Sequence, residues 1–133
     1  MIVLDASAAV EWLVGRPGAK AISQRMANPD VSIHAPSLLG VEVASALRGL
    51  VLGGQASVER ASAALSDLMA SDIHQHDPTP LLVRAWDLRN NLTVYDAVYV
   101  ALAEVLGATL VTADARIARA AGPDVNIEVV PAR

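Results

Sequence analysis

The chain has no cysteine and no phenylalanine, and only one of its 133 residues is a lysine, Lys20. The missing cysteine excludes disulfides, thiolate nucleophiles and thiolate metal sites. The missing phenylalanine leaves Trp12, Trp86, Tyr95 and Tyr99 as the large aromatics, so the core must be built from Leu, Val, Ile and Ala. Cations are also scarce: ten Lys and Arg face fourteen Asp and Glu, for a net charge of −4. Such a chain is poorly equipped to bind nucleic acid by phosphate neutralisation alone. A nuclease is not excluded, because metal ions can bring positive charge to the site. There is no GxxxxGK[ST] or GxGxxG phosphate loop, and Gly53-Gly54 reads as a helix stop. No apolar run reaches the roughly 18 residues of a membrane span. The start, MIVLDAS, lacks a basic segment, and Asp5 interrupts its apolar run, so no secretory leader is expected. The expectation is a soluble cytoplasmic protein.

What is present is apolar and orderly. Apolar residues make up 53% and charged residues 18%, which suits a folded chain rather than a disordered one. The length fits a single domain, residues 1–133, with a sizeable core. Residues 2–4 (IVL) read as a short buried strand. A helix is expected over about 7–14, with Val10, Leu13 and Val14 inward, and another over 18–27, closed by Asn28-Pro29-Asp30. Val31, Ile33 and Ala35 alternate as in a strand. Pro36-Ser37 opens a helix over about 38–52, with Leu39, Val43, Leu47 and Leu50 as its stripe. Ser57 is the expected cap of a helix over 58–70, with Val58, Ala61, Leu65, Leu68 and Met69 inward. After a brief extended segment at Ile73, Asp77-Pro78 should start a helix running to about Asn90, with Leu81, Leu82, Ala85 and Leu88 inward. A nearly all-apolar helix over 94–106 ends at Gly107. A strand over 109–112, a helix over 114–121 and a strand over 127–130 complete the chain. Short apolar strands alternating with helices predict an α/β fold with a parallel sheet covered on both faces.

Four carboxylates stand out. Asp5, Asp96 and Asp114 each sit where a strand or loop hands over to a helix, and Glu42 falls inside the 38–52 helix, beyond its first turn. Each has an ordinary structural role open to it. Asp is a favoured N-cap and suits the positive end of the helix dipole. Thr93-Val94-Tyr95-Asp96 resembles a capping box with Asp for Glu, and Glu42 could lie on a solvated face. Together they admit a second reading. Sites in open α/β sheets form beyond the carboxyl ends of the strands. Four converging acids would need compensation, and hard divalent cations are the natural partners of carboxylate oxygens. Metal-assisted phosphodiester hydrolysis suits such a cluster. Ser7 and Thr112 could add hydroxyls, beside their simpler roles as a cap and a strand residue. Other chemistries fare worse. His34, His74 and His76 form no HExxH pair and are expected to be non-catalytic, with His74 and His76 on one exposed face. Lys20 is the wrong lysine for an aspartyl-phosphate receiver, and Ser7 occupies the second position of an Asp-x-Asp phosphotransferase pair.

The segments MIVLDASAAVEWL, PSLLGVEVASALR, LTVYDAVYVALAEVLGATLVTAD and ARIARA resemble the PIN-domain ribonucleases, most closely the VapC-type toxins of toxin–antitoxin pairs. The likeness runs from Met1 to about Val130 and is most specific over Leu92–Asp114. It implies a three-layer α/β/α sandwich with a small central parallel sheet. It implies a Mg²⁺- or Mn²⁺-dependent endoribonuclease whose metal ligands are Asp5, Glu42, Asp96 and Asp114, with Thr112 as the hydroxyl two residues before the last acid. A homodimer, an RNA substrate and a cognate antitoxin are implied as well, and RNA contact would fall to arginines such as Arg48, Arg84, Arg89, Arg116 and Arg119. Trp12 and the 38–52 helix fit either core packing or a groove that the antitoxin covers. A DNA nuclease with the same metal chemistry, or a binding module that keeps the fold without catalysis, are the alternatives.

Overall fold

The computed structural model describes residues 1–122 and 124–131. Five short strands form one parallel sheet: β1 (Ile2–Leu4), β2 (Ile33–Pro36), β3 (Ile73–His76), β4 (Thr109–Thr112) and β5 (Ile127–Val129). Their order across the sheet is β3-β2-β1-β4-β5. The central strand β1 is wholly buried, with Ile2 beside Ile33 and Thr109, and Leu4 beside Val111. Seven α-helices are described: α1 (Ala6–Leu13), α2 (Ala19–Ala27), α3 (Leu39–Leu52), α4 (Val58–Ala70), α5 (Leu82–Asp87), α6 (Val94–Leu106) and α7 (Ala115–Ala120).

The strand order fixes the layers. The chain steps outward from β1 to β2 to β3, then crosses back to place β4 on the other side of β1. Right-handed crossovers in opposite directions put their helices on opposite faces. Accordingly α1 to α4 pack among themselves, while α5 packs on α6 and α6 lies across β1, β2 and β4. The result is the expected α/β/α sandwich. Among the described residues, no helix is long and apolar enough to cross a membrane.

The helix over 94–106 and the strand over 109–112 form as expected. Ala97 to Ala103 are all buried, which is why that helix is apolar all round. Elsewhere the structure corrects the reading. The helix expected over 77–90 is a 3-10 turn (Thr79–Leu81) followed by the short α5, and Leu82 is exposed. Pro80 disfavours the α conformation at Thr79, the residue before it, so the chain opens with a tighter 3-10 turn. Helix α4 buries Ala61, Ala64 and Leu68, while Val58 and Met69 are exposed and Leu65 is only half-buried. Its neighbours are α3 and α1 rather than the sheet, so a narrow stripe suffices. Helix α3 begins at Leu39, which puts Glu42 in its first turn instead of deeper along the helix.

Candidate active site

The switch in strand order falls between β1 and β4, and the gap beyond their carboxyl ends is where open α/β sheets place their sites. Asp5 follows β1 directly and Asp114 follows β4 after one residue. Helix α6 turns at Gly107 straight into β4, so its amino end, carrying Asp96, lies at the same edge. Helix α3 follows β2 and brings Glu42 there in its first turn. Topology thus brings to one edge of the sheet four acids that span positions 5 to 114 of the chain.

Asp5 is the most constrained of them. It caps α1 by accepting the Ala8 N–H at 2.9 Å, so its structural role is real. The same Oδ1 accepts the Ser7 hydroxyl at 2.7 Å, and Oδ2 accepts the Thr112 hydroxyl. Ser7 Oγ in turn accepts the Ala113 N–H at 2.9 Å, and Thr112 Oγ1 accepts the Asp114 N–H at 3.0 Å. Two hydroxyls therefore stitch β1 to the end of β4. Burial pushes the Asp5 carboxyl above its ordinary value, while Thr112, Ala8 and Ser7 hold it down and Asp96 pushes it further up.

Glu42 and Asp96 are half-buried, and both are also raised, first by burial. Asp5 and Asp96 add repulsion at Glu42, and Asp114 adds it at Asp96. The α6 cap is supplied by Thr93, whose hydroxyl accepts the Asp96 N–H at 3.2 Å. Tyr99, one turn further along, is a site residue that its place in the sequence did not betray. Its buried hydroxyl faces the Glu42 carboxylate outside strict hydrogen-bond geometry, yet near enough to hold that carboxyl down, while burial followed by that carboxylate drives the phenol upward. Glu42 Oε1 is likewise buried without a partner. Buried polar atoms are normally paired. Neither atom finds a partner within strict geometry among the described residues.

Asp114 behaves differently. It caps α7 through the Arg116 N–H at 3.0 Å, and the Arg116 side chain grips both its oxygens, Nε to Oδ1 at 3.1 Å and Nη2 to Oδ2 at 2.7 Å. That pairing holds its carboxyl below the ordinary value. The donor chemistry of the four acids, all hard oxygens, fits Mg²⁺ or Mn²⁺, and one Glu42 oxygen is left without a partner among the described residues. Yet among the described residues no three His, Asp or Glu side chains are gathered to hold an ion as they stand.

A cleft of about 730 Å³ opens beside the acids, lined by Ser7, Glu42, Ser45 and Tyr95 together with Val10 and Val41. Tyr95 and Val41 are exposed, whereas Trp12 is half-buried and packs on the core. The histidines sit apart from this cleft, on β2 and β3. His34 Nδ1 lies 2.8 Å from His76 Nε2, and the His34 and His74 rings stack at 4.9 Å. Of the five arginines, Arg84 is paired with Glu104 and Arg89 lies over Trp86. Arg48 lines an apolar hollow between α3 and α4, and Arg119 acts on Asp114 only through its charge. Only Arg116 touches one of the four acids.

Comparison with known proteins gives a consistent result. A family model for the PIN domain matches residues 2–123. Ribonuclease VapC1 of Mycobacterium tuberculosis is 43% identical over 130 residues, covering 96% of this chain and 96% of that protein. Ribonuclease VapC12 of the same organism is 38% identical over 130 residues, covering 98% and 99%. Among solved structures, VapBC2 from Rickettsia felis, bound to a DNA fragment from its promoter, is similar with a TM-score of 0.69. That match covers 98% of this chain and 99% of the other at 18% identity, and so speaks for the fold alone.

Proposed function

This chain belongs to the PIN-domain family of VapC ribonucleases, and from that premise we propose that it is a divalent-metal-dependent endoribonuclease, the toxin of a toxin–antitoxin pair. The observation that carries the reading is the placement of Asp5, Glu42 and Asp96 at the strand switch point, each carboxyl raised first by burial and further by neighbouring acids, with one Glu42 oxygen left without a partner among the described residues. Like charges held together in this way cost free energy unless a cation joins them. The family relatives are named ribonucleases, which supports RNA as the substrate.

In this reading Asp5, Glu42, Asp96 and Asp114 hold Mg²⁺ or Mn²⁺. A bound ion supplies an activated water and stabilises charge on the phosphate oxygens. The protein's own part is positioning. The Thr112 and Ser7 hydroxyls favour the ionised form of Asp5 against burial and fix its direction. The Tyr99 hydroxyl stands ready to donate to Glu42 or to a water held there. The cleft beside the acids offers an apolar wall and the exposed Tyr95 ring to a single-stranded segment, a form of RNA whose bases are free to stack. A cognate antitoxin would cover the same cleft, including the exposed Val41. The Rickettsia felis neighbour, a VapBC2 pair, supports a partner of that kind. The active unit is proposed as a homodimer of one-domain chains working in the cytoplasm.

Purified protein should cut single-stranded RNA in the presence of Mn²⁺ or Mg²⁺, leave a matched DNA strand intact, and stop when EDTA is added. Asp96→Asn should lower the cleavage rate at least a hundredfold or so while the far-ultraviolet circular dichroism is unchanged. Cleavage by that variant at the parental rate, or parental cleavage in EDTA, would sink the proposal.

A further inference from the structure

Among the four acids, Asp114 alone is held in an ion pair within the described residues. The pair is local and bidentate: Arg116 lies two residues along the chain and takes both carboxylate oxygens. Its guanidinium is also near enough to influence Asp96. Asp96, Asp114 and Arg116 line one hollow of about 200 Å³. The arginine side chain is 81% exposed and, among the described residues, hydrogen-bonds only Asp114. An exposed pair of this kind is worth little and opens easily. A guanidinium fork fits a phosphate as well as it fits a carboxylate.

We propose that Arg116 is a positioning residue that holds Asp114 away from the metal in the ion-free protein and passes to the RNA phosphate when the ion arrives. The proposal rests on the metal-dependent reading above. In the ion-free state the guanidinium neutralises the outermost acid and keeps the cluster from closing, in accord with the lack of a ready-gathered ligand set. Entry of a divalent cation gives Asp114 a stronger counter-ion. The fork is then released at the edge of the hollow, where a backbone phosphate of bound RNA would lie. One side chain thereby couples ion loading to substrate capture.

The experiment is a calorimetric titration of Mn²⁺ into RNA-free protein, for wild type, R116Q, R116K and R119Q, with thermal melts to confirm folding. The loss of an exposed pair predicts Mn²⁺ binding about two- to fivefold tighter in R116Q. R116K, which keeps the charge but loses the fork, should fall between. R119Q removes a charge that acts on Asp114 without touching it, and should gain less than R116Q. At saturating Mn²⁺ the KM of R116Q for RNA should rise about threefold or more, with a smaller change in kcat. A purely structural arginine would not tighten the ion and loosen the substrate together. Unchanged Mn²⁺ affinity in R116Q, an equal gain in R119Q, or an unchanged KM overturns the role of Arg116 and leaves the metal reading standing. A wild-type protein that binds no Mn²⁺ overturns both.

Discussion

At the scale of single residues, the two hydroxyls on Asp5 and the one beside Glu42 make opposite demands. Thr112 is fully buried and donates to Asp5 Oδ2. Thr112→Val keeps the shape and removes the donor, so the buried carboxylate is left with Ser7 and Ala8 alone. A hydrogen bond to a charged group contributes about 2 kcal/mol, and its loss should appear in urea unfolding at neutral pH. Burial then pushes the Asp5 carboxyl still higher. The pH profile of cleavage should move to the alkaline side, and the rate should fall by about 10- to 100-fold, the usual effect of losing a partner that orients a ligand. Unchanged stability together with an unchanged profile would count against the Thr112–Asp5 bond. Tyr99→Phe should act in the other direction. The Tyr99 hydroxyl is buried and unpartnered, so its removal relieves a desolvation cost. Metal-free stability should hold or rise by up to about 1 kcal/mol. A clear loss on urea unfolding would mean that the hydroxyl is bonded to Glu42 after all.

At the scale of elements, α6 was legible to the residue because each end carries its own chemistry. Thr93 caps one end through the Asp96 N–H, and Gly107 closes the other with φ of +61°. That left-handed turn feeds β4 within two residues and so sets the distance between Asp96 and Asp114. Gly107→Ala should cost about 1 kcal/mol, because a side chain is strained in this conformation. A melt indistinguishable from wild type would contradict it. The helix expected over 77–90 failed for a local reason too: Pro80 disfavours the α conformation at Thr79, so the first turn tightens, and Leu82 faces solvent while Leu81 and Ala85 stay inward. The acids show why two explanations could both be right. In parallel α/β folds the amino ends of helices and the functional edge of the sheet coincide, so Asp5 and Asp114 cap helices and also face the site. What no local pattern could reveal was the set of long-range partners. Ser7 meets Ala113 across 106 residues, and Thr112 meets Asp5 across 107. The Tyr99 hydroxyl and the Arg116 fork acquire meaning only once the strand order is known.

At the scale of the whole molecule, the fold buries and crowds carboxylates at one edge, and that has a measurable sign. Asp5, Glu42 and Asp96 are raised in the folded protein, so folding favours their protonated forms. Their contribution to stability is fully present below the ordinary carboxylate range and is lost as pH rises through the raised folded values. Asp114 is lowered, and its contribution runs the other way: present above the ordinary value, lost only as pH falls below it. The two effects therefore occupy different windows. In EDTA, taking the pH down from neutral towards the ordinary carboxylate range should raise Tm, with Asp114 opposing only at more acid pH. Mn²⁺ at neutral pH should raise Tm by binding the folded state, and that increment should shrink as protons reclaim the acids. Other carboxylates titrate in the same range, so the decisive quantity is a difference. Asp96→Asn removes one of the three repelling charges. It should melt higher than wild type in EDTA at pH 7, lose that advantage as the pH falls, and gain less from Mn²⁺. A variant that melts lower than wild type in EDTA, or gains as much from the ion, would show that the repulsion at this edge is not what the cation relieves.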